Sequence, residues 1–190
     1  MNPKERLVKV AGWWKSSVIQ GLGDFGRIPS ITPGADLEWK KNGHIDRGLQ
    51  HLASWSEAQT IRDLTIEKLE IPGKTPILLM KIPGTIPGRV LIYGHADKQP
   101  AGEGWKTDPW EPVHVNMERL YGRGLADDGY STFAAITAVR LLQYEKTPHP
   151  DIVILIEASE ESGSPHLPSY LEQFSEKIGT PGLVICLDSG

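Results

Sequence analysis

His95 and Asp97 stand two residues apart in the segment LIYGHADKQP at residues 91–100, a spacing that puts both side chains on the same side of an extended backbone. There the Asp97 carboxylate can accept the imidazole proton and leave the other ring nitrogen free for a metal ion. A lone His-x-Asp is commonly no more than a surface polar pair, and it is the acidic positions further along the chain that change the reading. Asp127 and Asp128 follow two glycines in LYGRGLADDG, Glu160 and Glu161 sit side by side in ASEESGS, and Asp188 closes the apolar run LVICL. Two adjacent glutamates at a strand exit repel each other without a cation nearby, so a metal plus a proton shuttle explains them better than surface decoration. Nitrogen and oxygen donors without thiolates point to zinc, cobalt or manganese.

The elements that would position these groups are legible in the pattern of apolar residues. Residues 90–93 form a short strand that Gly94 releases just before His95. Residues 151–157, DIVILIE, are nearly all apolar and β-branched, the mark of a strand buried on both faces, and they lead straight to Glu160 and Glu161. Residues 182–187 read as a further buried strand with Asp188 at its end. Gly122 and Gly124 turn the chain tightly before Asp127 and Asp128, and an apolar helix is expected over 133–142. Earlier, residues 5–21 read as an amphipathic helix ending at glycine and 45–58 as a second one. Residues 63–71 and 76–82 read as successive strands of the sheet, and 167–178 as a late helix. Strands alternating with helices predict an α/β fold, a mixed, largely parallel sheet flanked by helices. In such sheets ligands collect beyond the carboxyl ends of the strands.

Length and composition bound what this can be. A chain of 190 residues with 39% hydrophobic side chains, 20 Gly and 15 Pro buries a core as one loop-rich globular domain. With a formal net charge of -4 and dispersed Lys and Arg, it has no basic stripe for a phosphate backbone, which argues against nucleic acid as a partner. The N-terminal segment lacks the apolar core of a signal peptide and no stretch reaches membrane-spanning length, so a soluble, cytoplasmic protein is expected. The single cysteine, Cys186, reads as a buried small hydrophobe.

Rival readings find less support in the residues. The tripeptide DFG at 24–26 has no other kinase signature beside it, GRG at 122–124 lacks the full dinucleotide spacing, and Ser162 and Ser164 lie in no G-x-S-x-G elbow. One of Asp127 and Asp128 serves equally well as a helix cap. His51 reads as a face-exposed or core-edge residue, His114 as a solvent-facing strand residue and His166 as exposed. The loop 101–112, with Trp105 and Trp110, packs on the body of the protein and shapes the lip of a cleft.

Taken in order, GHADKQP, GW, DPW, LYGRGLADDG, EASEESGS and CLDSG resemble the catalytic domain of the co-catalytic di-zinc metallopeptidases. That family includes carnosinase-type dipeptidases, glutamate carboxypeptidases, aminoacylases and succinyl-diaminopimelate desuccinylase. The resemblance implies that His95 and Asp188 hold one metal and Glu161 the other, with Asp127 bridging both; that Asp97 orients His95; and that Glu160 is the general base. It implies two divalent ions, zinc first and cobalt or manganese next. It also implies hydrolysis of the amide bond of a dipeptide or short peptide with a free C-terminus, the dipeptidase wording being the most similar. An N-acyl amino acid deacylase of the same family, or an inactive metal-binding domain, is the alternative.

The chain departs from the family at Gly129-Tyr130, where Lys-Gly is usual, and at Ala158, where Gly is. The family also carries a further metal-binding histidine far downstream and a lid domain through which it forms homodimers. Residues 1–190 therefore read as the N-terminal part of a metallopeptidase catalytic domain. On that reading one ion has three protein ligands, His95, Asp127 and Asp188, and the other only Asp127 and Glu161.

Overall fold

A computed structural model of the chain describes residues 1–115 and 118–188. Asn116 and Met117, just past the strand residue expected at His114, and the terminal Ser189 and Gly190 lie outside the described residues. The chain opens with a helical run made of α1 (Pro3–Trp13), a π-helical turn (Trp14–Val18) and α2 (Ile19–Gly26). Asn2 starts it with a capping box: its side chain accepts the Glu5 N–H at 3.0 Å and the Glu5 carboxylate accepts the Asn2 N–H at 2.8 Å. Gly21 does not end the helix, contrary to expectation. A Cβ at that position would lie 2.5 Å from the Trp55 ring, so this glycine is where α2 meets a neighbouring helix, and tertiary packing overrides its weak propensity. The DFG tripeptide is simply the last turn of α2, with Phe25 wholly buried.

After a short α3 (Trp39–Asn42), α4 (His44–Glu57) buries Ile45, Leu49 and Leu52, the stripe its sequence spacing predicts. The strands are β1 (Thr65–Leu69), β2 (Ile77–Ile82), β3 (Arg89–His95), the hairpin β4 (Val113–Val115) and β5 (Arg119–Tyr121), β6 (Asp151–Glu157) and β7 (Leu183–Cys186). Helix α5 (Tyr130–Tyr144) precedes β6; α6 (Leu167–Gln173) and α7 (Ser175–Ile178) follow it. The helix expected over 167–178 is thus broken at Phe174, whose backbone is not helical.

The main sheet has the order β1-β2-β6-β3-β7. β2 is antiparallel to both its neighbours, while β3 runs parallel to β6 and to β7. All strands but β2 therefore point the same way, as the mixed, largely parallel sheet predicted from sequence requires. β6 inserts between β2 and β3, so the successive strands β1, β2 and β3 share one sheet without all being neighbours. On one face Ile152, Ile154 and Ile156 join Met80, Ile82 and Ile92 under α2, α4 and α5; on the other Val153 and Leu155 join Leu79 beneath Tyr170 and Ile178. Each such side chain contributes about 1.5–3 kcal/mol, and their alternation along β6 fixes its register against β3.

β7 corrects the expectation of a buried strand. Leu183, Val184 and Ile185 are 54%, 51% and 38% exposed, and Cys186 is an exposed free thiol. The run is apolar, but it pairs only with β3 at the sheet edge, and all four of its residues are exposed.

The join between β3 and α5 is close. A Cβ on Gly94 would stand 2.6 Å from Asp128 Oδ2 and nearer still to the Ser131 hydroxyl. Gly94→Ala should therefore cost about 1–3 kcal/mol through overpacking, read as a lowered urea midpoint; an unchanged midpoint would show that this contact is not tight.

Candidate metal centre

Three parallel strand ends and one loop build the site. β3 and β6 run in register to their last pair, His95 and Glu157. β7 extends the same edge through the Leu187 N–H, which donates to the Tyr93 carbonyl at 3.0 Å. His95, the turn Glu160–Ser162 and Asp188 accordingly leave the sheet at one rim. The segment Leu125–Gly129 brings Asp127 and Asp128 to the same place just before α5; its Asp127–Asp128 peptide is cis.

His95 is completely buried. Its Nδ1 lies 3.0 Å from the main-chain carbonyl of Asp97 and 3.5 Å from the Asp97 carboxylate. A carbonyl oxygen can only accept, so Nδ1 carries the hydrogen and Nε2 of the neutral ring has the lone pair. Nε2 stands 3.1 Å from Asp127 Oδ1 and 3.7 Å from Glu160 Oε2. The pairing read from the sequence is thus present in a shifted form. Asp97 reaches the imidazole chiefly through its backbone, and its carboxylate, also completely buried, accepts the N–H groups of Glu160 and Glu161 at 3.1 Å each.

Neither Asp127 nor Asp128 caps α5, whose N-terminus has no side-chain cap. Asp128 Oδ2 instead accepts the His95 N–H at 2.9 Å, while its Oδ1 is buried with no partner among the described residues. Burial pushes the Asp128 carboxyl up to about 7, against the pull of His95. Burial also pulls the His95 imidazole down, but the hydrogen bond and charge of Asp97, with Asp128 and Glu160 behind it, outweigh this and raise it to about 10. Glu160 and Glu161 are both raised, first by burial and then by surrounding carboxylates that include Asp188 for Glu160 and Asp127 for Glu161.

Sequence reasoning missed the supports of these groups. Glu161 Oε2 accepts the Gln99 amide at 2.7 Å. The Tyr130 hydroxyl donates to the Leu187 carbonyl beside Asp188. Buried Glu157 collects hydroxyls from Tyr93 at 2.6 Å, Ser164 at 2.8 Å and Ser159 at 3.2 Å, which pins the start of the Glu160 turn to β3. Local pattern carries no sign of such cross-strand bonds, although the Ser-rich stretch ASEESGS was their one visible trace.

The other histidines lie elsewhere. His51 Nε2 bonds the Gly21 carbonyl at 2.7 Å, and His114 is exposed on the hairpin. His166 is not exposed as expected: its Nδ1 accepts both the N–H and the hydroxyl of Thr75, at 3.0 and 2.9 Å. The loop 101–112 is tied to the chain beyond it by Arg123, whose N–H donates to the Pro109 carbonyl at 2.8 Å and whose guanidinium donates to the Ala101 carbonyl at 3.2 Å and lies over the Trp105 ring.

Whether these residues suit a divalent ion is answered by their own chemistry. One ligand atom from each of His95, Asp127 and Asp188 lies within 4.8 Å of the others, and Glu161 Oε1 is buried without a partner among the described residues. A nitrogen and several crowded carboxylate oxygens are stabilised by a bound cation. The residues fit.

Comparison with known proteins agrees with this chemistry. The pattern of peptidase family M20/M25/M40 matches residues 91–184. The chain is 37% identical over 117 residues to a Beta-Ala-His dipeptidase of Homo sapiens, covering 59% of this chain and 22% of that protein. It is 27% identical over 191 residues to the Cys-Gly metallodipeptidase dug1 of Schizosaccharomyces pombe (96% and 40%), and 43% identical over 150 residues to a succinyl-diaminopimelate desuccinylase of Gluconobacter oxydans (75% and 34%). The chain thus spans at most 40% of the length of these relatives. Two solved structures share its fold: the M20 family metallo-carboxypeptidase Sso-CP2 of Sulfolobus solfataricus, with a TM-score of 0.77 at 24% identity over 92% of this chain and 38% of that one, and human carnosine dipeptidase 1, with 0.74 at 24% over 96% and 40%.

With the imidazole raised to about 10, metal-free His95 is protonated at neutral pH, and an ion that binds Nε2 must displace that proton. Zn²⁺ titrated at pH 7 in buffers of different ionisation enthalpy should therefore release about one proton or more per first ion. Affinity should rise about tenfold per pH unit between 6.5 and 8.5; proton-free, pH-independent binding would show that the imidazole is already neutral when the ion arrives.

Proposed function

The chain belongs to peptidase family M20/M25/M40, and from that membership we propose that it is the N-terminal part of a catalytic domain that hydrolyses the amide bond of a dipeptide or short peptide with a free C-terminus. The observation that carries the proposal is the convergence of His95, Asp127 and Asp188 within 4.8 Å, with Glu160 3.7 Å from the imidazole. His95 and Asp188 would hold one divalent ion and Glu161 a second, with Asp127 shared between them. Bound there, zinc, or cobalt or manganese in its place, supplies Lewis-acid polarisation of the scissile carbonyl and lowers the pKa of water.

The chain's own residues do the rest. Asp97 keeps Nδ1 of His95 protonated and so keeps Nε2 available as a donor. Glu160 takes the proton of the attacking water and returns it to the departing nitrogen. Its pKa is raised by burial and by the neighbouring carboxylates Asp188, Glu161 and Asp97, which makes it a stronger base than an ordinary glutamate and a usable acid afterwards. The Asp97 bonds to the main chain at 160 and 161 hold it at the rim.

An N-acyl amino acid is the second substrate class, favoured by the 43% identity to a desuccinylase. Cys-Gly, β-Ala-His and an N-succinyl amino acid assayed side by side separate the two. We further propose cytoplasmic residence and a homodimer formed outside these residues; among the described residues no helix is long and apolar enough to cross a membrane. On the ligand count above, the 190-residue chain should bind one divalent ion more tightly than a second and turn over substrate poorly.

In the full-length enzyme, Glu160→Gln should keep both ions while kcat falls toward the upper end of about 10²–10⁴-fold, since one group serves both attack and departure. Glu161→Gln should instead weaken one ion, with activity partly restored by excess metal. Bound metal per chain measured alongside kcat checks both, and metal loss from Glu160→Gln alone would reverse the assignment.

A further inference from the structure

Glu161 is held at both its backbone and its side chain. Its N–H donates to Asp97 Oδ2 at 3.1 Å, which fixes the backbone, and its side-chain Oε2 accepts Gln99 Nε2 at 2.7 Å. The same amide lies 3.4 Å from the Glu161 carbonyl. The remaining oxygen, Oε1, is buried and without a partner among the described residues. A glutamate side chain left to itself samples many rotamers, and ordering it costs about 1.5–2 kcal/mol.

Gln99 is itself held in place. Lys98 pairs with Ile31 in a parallel bridge, its N–H donating to the Ser30 carbonyl at 2.9 Å and its carbonyl accepting the Thr32 N–H at 3.0 Å. Its side chain is fully buried, with Nζ donating to the carbonyls of Phe25 and Ile28 at 2.8 Å each. The chain at 97–99 is therefore anchored on the core side while Gln99 points outward to Glu161. A neutral amide donor suits this position: a lysine there would add a positive charge beside the cation site, and a carboxylate would repel Glu161.

We propose that Gln99 is a positioning residue that engages one oxygen of Glu161 and leaves Oε1 as its single metal-binding atom, thereby setting how tightly the second ion is held. This rests on the reading of Glu161 as a metal ligand. Outer partners of ligating groups commonly change metal affinity by about 10–100-fold.

The test is a Zn²⁺ titration by calorimetry of the purified chain, of Gln99→Met, of Glu161→Gln and of the double variant, with metal-free thermal midpoints recorded. Methionine keeps the length of glutamine and removes its N–H donors, and because Gln99 is exposed the fold and the midpoint should not change. Gln99→Met should weaken the ion that depends on Glu161 by about tenfold or more and leave the tighter ion as it is. On the Glu161→Gln background it should have no further effect. If Glu161→Gln weakens one ion but Gln99→Met weakens none, or weakens both ions alike, or adds to the Glu161→Gln loss, the inference about Gln99 is overturned and the ligand assignment stands. If Glu161→Gln changes neither ion, the ligand assignment and the inference fall together.

Discussion

Asp97 is the residue on which the site depends. It is completely buried at the exit of β3, where an unsatisfied carboxylate would be severely destabilising. Its oxygens are satisfied by the N–H groups of Glu160 and Glu161, and its carbonyl meets Nδ1 of His95. One side chain thereby ties the end of β3 to the turn after β6. The ring nitrogen that faces the carboxylates and the backbone that presents them cannot move independently. Removing the carboxylate would release that turn and leave two part-buried N–H donors without their partner.

The rest of the fold serves that junction. Parallel pairing of β3 with both β6 and β7 brings His95, the Glu160 turn and Asp188 to one rim, and such a sheet requires helices on its faces. Gly94 has no side chain, so α5 and Asp128 come close enough for Asp128 to accept the His95 N–H. The acidic loop is thus locked to the same strand end as the imidazole. Burial first, and the neighbouring carboxylates after it, raise Glu160 and Glu161 together, and a divalent ion relieves both the lost solvation and the repulsion.

Much of this was legible in the sequence because the relevant signals are local. The buried stretch of β6 is written as an unbroken apolar run, α4 as an apolar stripe, and each acidic station as a polar group just past a strand or a glycine turn. What escaped the sequence were features decided by distant parts of the chain. β7 has the composition of a buried strand, yet it pairs only with β3 at the sheet edge and Cys186 is exposed. Gly21 looked like a helix end because its partner, Trp55, lies more than thirty residues away. His166 is bound by Thr75, and the roles of Gln99, Tyr130 and Glu157 rest on side-chain bonds between segments that no periodicity marks.

On this reading the strand ends converge on a cation site whose imidazole ligand is aimed by Asp97. Anomalous diffraction at the zinc edge from crystals of the chain grown with Zn²⁺ tests it most directly. The strongest peak should lie in bonding contact with His95 Nε2, Asp127 and Asp188, with Nδ1 of His95 still on Asp97. A strongest peak away from His95, or one in which the Asp97 carboxylate has left the Glu160 and Glu161 N–H groups to bind the ion itself, would contradict this reading.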